Sequence, residues 1–158
     1  MEFGLFSLFD FFPDRQNEVQ YYRDTLDIAI AAEQLGFDSV WFGEEHFYAF
    51  GICPSPQLFL TALARETSRI RLGTSISLLP FDNPLRKAED FAMLDILSDG
   101  RLNFGVGRGI IQKHFEGFGV KMRESRRATR RRWRSSGGPG PRTRSNTRAS
   151  SGRSRPCR

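Results

Sequence analysis

The chain has 158 residues, 39% of them hydrophobic, and a formal net charge of +6, which suits one ordinary domain with a buried core. The positive charge is confined to the end, since residues 1–120 carry 10 basic and 17 acidic side chains while residues 121–158 carry 14 and 1. The part able to fold is therefore acidic, which speaks against nucleic acid as its partner, and no apolar run approaches the roughly 20 residues that cross a bilayer.

Residues 2–9 form a nearly continuous apolar run, with Phe3, Leu5, Phe6, Leu8 and Phe9, and read as a strand buried on both faces. A loop with Pro13 follows. Asn17-Glu-Val-Gln20 has the form of a helix cap, after which Val19, Tyr22, Leu26, Ala29 and Ile30 recur at helical spacing until Leu35-Gly36 closes the helix. Residues 38–43 make a second strand that delivers Glu44, Glu45 and His46 to the loop at its C-terminal end. Ser55-Pro56 starts a helix with proline at its first position, and Phe59, Ala62, Leu63 and Glu66 fall along one side of it.

A third strand covers residues 70–78, β-branched at Ile70, Thr74 and Ile76. Asn83-Pro84 starts the next helix, with Leu85, Ala88, Ala92 and Ile96 on one face. Asp99-Gly100 stops it, because glycine takes a left-handed conformation cheaply. Leu102, Phe104 and Val106 then alternate with Asn103 and Gly105 as a fourth strand. Gly107-Arg108-Gly109 sets a guanidinium between two residues without side chains, where a ligand can approach the backbone closely and a planar fork suits a phosphate. The alternative is a tight exit from the strand with a solvated arginine. Ile110 stands where the dinucleotide fingerprint needs its third glycine, so that fingerprint is absent.

Strand and helix thus alternate with a step of about 30 residues, the size of a βαβ unit with parallel strands. An open doubly wound sheet and a (β/α)8 barrel both satisfy the pattern, and both place ligands at the C-terminal ends of the strands.

Cys53 and Cys157 lie far apart and define neither a disulfide framework nor a zinc spacing. Glu2 and Asp10 flank the first apolar run without a basic n-region, which does not read as a signal peptide, so a cytoplasmic location is expected. From Arg123 onward there is no Leu, Ile, Val or Phe, and 13 of the residues are Arg. Residues 123–158 are expected to be a disordered basic tail after a folded unit at 1–122. The tail reads either as an arm for nucleic acid or anionic lipid, or as the product of a frameshift in a GC-rich gene, and the second is preferred.

Several segments carry a resemblance: Val40-Trp-Phe-Gly-Glu-Glu-His-Phe47, Leu72-Gly-Thr74, Leu79-Pro80, Ala88-Glu-Asp90, Leu97-Ser98, Gly100-Arg101 and Phe104-Gly-Val-Gly-Arg-Gly109. Together they resemble the N-terminal part of the flavin-dependent, luciferase-like monooxygenases, close to the alpha subunit of bacterial luciferase. The resemblance implies the N-terminal half of a (β/α)8 TIM barrel, since a complete barrel takes about 250 residues. It implies reduced FMN, or a deazaflavin in some branches, acting with O2 on a small organic substrate, with a flavin reductase as electron source and a homo- or heterodimer as assembly. Arg108 and Arg126 match phosphate ligands, and Ser75-Ile76 matches a non-proline cis peptide beside the flavin ring. His46 matches one of two adjacent histidines, and Glu45 stands where the other, the usual catalytic base, would be. Glu45 and His46 are therefore the catalytic candidates, against the alternative that Glu44, Glu45 and His46 only make loop hydrogen bonds. Gly107 replaces a reactive cysteine, so light emission is not expected.

Metal binding by this cluster is not expected either, because His114 is the one other histidine and has no ligand spacing. The expected activity is that of a truncated, weakly active or inactive oxidoreductase. The alternatives are a non-catalytic partner subunit of a luciferase-like dimer and a binding protein that uses the basic tail.

Overall fold

Local signals set the helix ends. Asn17 accepts a hydrogen bond from Gln20 N at the start of α1 (Glu18–Gln34), and Gly36 leaves it at φ 86°. Asn83 accepts from Leu85 N and Arg86 N ahead of Pro84 in α3 (Pro84–Leu97), and Asp99 and Gly100 leave that helix at φ 55° and 75°. α2 (Pro56–Glu66) begins at proline, although the Ser55 side chain makes no capping bond. The computed structural model describes residues 1–47 and 51–135, without the side chains of residues 128 and 132–135.

The strands are all parallel. β1 (Gly4–Ser7), β2 (Ser39–Phe42), β3 (Arg71–Thr74) and β5 (Leu102–Asn103) lie side by side in that order. β4 (Ser77–Leu78) pairs with β6 (Val106–Gly107) in the same sense. The third and fourth sequence strands are thus each broken in two, the third at a cis peptide between Ser75 and Ile76.

The core lies between the sheet and its helices, and Phe9 is at its centre. Phe9 is fully buried, with its ring 4.8 Å from Phe59, 5.3 Å from Phe42 and 5.6 Å from Tyr22. The buried Arg101 ties the helix ends to the sheet by donating to Ala64 O, Thr67 O and Oγ1, Ile70 O and Ser98 O.

Three expectations need correction. β1 is not buried on both faces: it is an edge strand among the described residues, and Phe3, Phe6 and Leu8 are exposed. On α3 the inward residues are Lys87, Phe91 and Leu94, while Leu85 and Ile96 face outward. The buried face of α2 runs through Leu60, Leu63 and Ala64 rather than Ala62 and Glu66.

The segment from Arg123 also departs from expectation, because α5 (Met122–Ser135) is helical. Residues 123–135 contain neither glycine nor proline, and arginine is a good helix former. Packing adds to that propensity: α5 lies against α3 and the 3-10 turn Leu79–Phe81, and Ser125 is fully buried. The described helix therefore continues past residue 122. The remainder of the expected tail, residues 136–158, lies outside the described residues, as does Cys157.

Candidate functional site

β2 ends at Phe42, and the next four residues run along the C-terminal ends of the strands. Glu44 comes first and turns inward. Its carboxylate accepts from Ser77 Oγ at 2.8 Å, Leu78 N at 2.9 Å and Lys87 Nζ at 2.8 and 3.1 Å. His46 Nε2 lies 3.1 Å from the same group, and because a carboxylate only accepts, the imidazole donates there. Burial pushes the Glu44 carboxyl up, but the bond from His46, the Lys87 charge and bond and the Leu78 N–H outweigh it and hold the group below the ordinary value.

Glu45 behaves in the opposite way. Burial, with Asp10 and Glu44 nearby, raises its carboxyl above the ordinary value against the pull of His46. Its Oε2 lies 3.1 Å from His114 Nε2, on α4 (Gln112–Gly117). His46 is packed edge-on against Phe118, with ring centroids 4.8 Å apart, and its backbone N–H points at His114 Nε2 from 3.3 Å.

A cleft of about 360 Å³ opens beside this loop, lined by Gly43, Glu44, Glu45, Ser75, Ile76, Leu78, Arg108, Gly109, Ile110, Ile111 and His114. Its walls are largely apolar and include the cis peptide and the glycine-flanked arginine. A side chain at Gly107 would run into Ile76, so glycine there leaves Ile76 its place in the wall. Arg108 is half-buried and donates to Ser125 Oγ at 3.4 Å, and among the described residues no carboxylate pairs with it. A flat apolar group carrying an anion suits this arrangement, with the anion at the guanidinium.

Of the residues singled out from sequence, Glu45, Ser75, Ile76 and Arg108 meet at the cleft. His46 packs behind it through Glu44 and His114, and Arg126 is exposed on α5 and does not line it. Sequence reasoning missed Lys87, Ser77 and the placement of His114. For Lys87 a signal existed, since residues 87, 91, 94 and 98 form one helical stripe that the lysine heads.

The sequence model of the luciferase-like monooxygenase family matches residues 1–131. The chain belongs to that family. This luciferase-like chain is 35% identical over 129 residues to the alkanal monooxygenase alpha chain of Photorhabdus laumondii, covering 82% of itself and 36% of the relative. It is 36% identical over 116 residues to the oxygenase component of the flavin-dependent trigonelline monooxygenase of Acinetobacter baylyi, covering 73% of itself and 32% of the relative. Among solved structures it superposes on the monooxygenase RslO1 of Streptomyces bottropensis with a TM-score of 0.82 at 36% identity, covering 86% of itself and 42% of that chain. It shares its fold, at 22% identity and a TM-score of 0.80, with the oxygenating constituent of 3,6-diketocamphane monooxygenase of Pseudomonas putida in complex with FMN, covering 86% of itself and 38% of that chain. The luciferase-like chain thus spans about a third of the length of the curated relatives it matches, and its parallel sheet with helices shares the TIM-barrel-type fold of the solved monooxygenases. Among the described residues no helix is long and apolar enough to cross a membrane.

Proposed function

We propose that the chain contributes the phosphate-binding and ring-facing part of a flavin monooxygenase site, in which reduced FMN and O2 oxidise a small organic substrate. A separate flavin reductase supplies the reduced cofactor. The observation that carries this reading is Arg108, a half-buried cation without a carboxylate partner among the described residues, at the rim of an apolar cleft.

Arg108 would hold the phosphate, and Arg126 adds a second positive charge from the same helix as Ser125. Ile76, Leu78, Ile110 and Ile111 offer apolar walls to the ring and keep water from it. Glu45 is the acid–base group that faces the ligand, with His46 supporting it from behind. The bound flavin supplies the redox chemistry, and the chain's residues bind, orient and exclude water. A deazaflavin in its place would present the same phosphate to Arg108.

Titration of FMN with the full chain tests the reading. Quenching of flavin fluorescence is expected, and riboflavin, which lacks the phosphate, should bind about tenfold or more weakly, the worth of one charge-assisted hydrogen bond. Absence of binding at high micromolar FMN, or equal affinity for the two ligands, would overturn it.

A further inference from the structure

Glu45 and His114 come from elements 69 residues apart in sequence, Glu45 from the loop after β2 and His114 from α4. Both are fixed in place. Glu45 N donates to Cys53 O at 3.0 Å, and Gly51 sits so close that a side chain there would overlap Cβ and Cγ of Glu45. His114 is 1% exposed, and its ring lies 5.7 Å from His46 and 6.1 Å from Phe81. Yet Glu45 Oε2 and His114 Nδ1 are both buried without a hydrogen-bond partner, while Oε2 lies 3.1 Å from His114 Nε2.

The reason is a conflict over one lone pair. His114 Nε2 is positioned to accept from His46 N–H, which places the ring proton on Nδ1. An ionised Glu45 would then bring its oxygen against a nitrogen that has no proton to give. The contact becomes favourable only when a proton lies between Oε2 and Nε2.

We propose that Glu45 and His114 hold one exchangeable proton between them and act together as the acid–base pair of the cleft. The proposal rests on the flavin-site reading and deepens it, with Glu45 as the residue that meets the ligand and His114 as its positioning partner. When the proton passes from Oε2 to Nε2, a neutral acid and a neutral imidazole become a carboxylate and an imidazolium. No proton enters or leaves the pair, and its net charge stays at zero. A buried site can therefore change from donor to acceptor without burying a net charge. The groups that face the pair are Asp10 from the loop after β1, Glu44 and His46 from the loop after β2, and Cys53 from the segment before α2. Lys87 acts on it from α3 only through Glu44.

The chain has two histidines, so imidazole nitrogen NMR on the full chain gives two ring systems, with His46 as internal reference. A coupled pair requires the His114 nitrogens and the Glu45 carboxyl carbon to change over the same pH span. Glu45→Gln should then leave His114 in one neutral tautomer throughout that span. If Glu45→Gln fails to fold, which the His46 signals would report, His114→Gln should move the Glu45 carboxyl midpoint by about one pH unit or more, the threshold for coupled groups. The proposal is overturned if the two groups titrate at unrelated pH values in the unaltered chain, or if either substitution leaves the other group's titration where it was. These spectra need no flavin, so a failure to bind FMN would overturn the flavin reading while the spectra decide the pair.

Discussion

Lys87 Nζ spans both oxygens of Glu44, at 2.8 and 3.1 Å, from a helix 43 residues further along the chain. Both side chains are 4% exposed. Removing one partner of such a pair strands the other charge, at a cost of about 3–5 kcal/mol. Glu44→Gln should therefore lower the urea midpoint strongly. Lys87→Met should cost less, because Glu44 keeps its bonds from Ser77, Leu78 and His46. The double variant should recover most of the loss, and a double as unstable as Glu44→Gln alone would contradict the pairing.

The same groups fix how stability depends on pH. Glu44 has a lowered folded value, so its contribution is fully present above the ordinary 4.5 and is lost as pH falls through the lowered one. Burial, with the His46 charge, also lowers His114 from 6.5, so stability should begin to fall as pH drops below that value. Glu45, raised by burial, acts in the opposite sense: it favours the folded state less as pH rises through its folded value. Thermal unfolding followed from about pH 8 to about pH 2 should show two successive losses on the acid side, the first beginning below 6.5 and the second below 4.5. His114→Gln should remove the first and leave the second.

Arg108 and Arg126 should differ sharply in what they do for an anion. Arg108→Gln removes a half-buried cation at the cleft and should weaken FMN binding about 10- to 100-fold, the worth of a charge-assisted bond of about 1.5–3 kcal/mol. Riboflavin affinity should not change. Arg126→Gln removes an exposed charge and should weaken FMN binding by less than about fivefold, with an effect that fades as salt is added. Fluorescence titrations at two ionic strengths separate the two cases.

Phe9 and Phe6 lie three residues apart and should respond very differently to truncation. Phe9→Ala empties the centre of the core and should cost about 3–5 kcal/mol. Phe6 is 52% exposed, and Phe6→Ala should stay within about 0.5 kcal/mol. Urea unfolding of the two variants measures the contrast.

What could be read from the sequence was local. Asn17, Asn83, Gly36 and Gly100 mark helix ends through bonds and dihedrals that involve only neighbouring residues, and all four do so in the structure. The phase of α3 was not local. Leu85, Phe91, Met93, Leu94, Ile96 and Leu97 are spread around the helix, and the buried face is selected by a lysine that reaches Glu44. The run at residues 3–9 misled for a related reason, since apolar character alone does not say whether a strand has a neighbour on each side. At the site, glycines flanking Arg108 and the Glu-Glu-His run were legible as motifs. Ser77, Lys87 and His114 join them only through tertiary contacts, and of the three only Lys87 is announced by a spacing, at the head of the stripe 87, 91, 94 and 98.

Among the described residues β1 has a neighbouring strand on one side only, which has a practical consequence for anyone handling this polypeptide. A strand edge without a partner strand among the described residues, beside exposed Phe3 and Phe6, invites further strands to dock, and the docking grows steeper with concentration. Dilute refolding and a lysine substituted for Phe6 should therefore extend the time the material stays clear in storage.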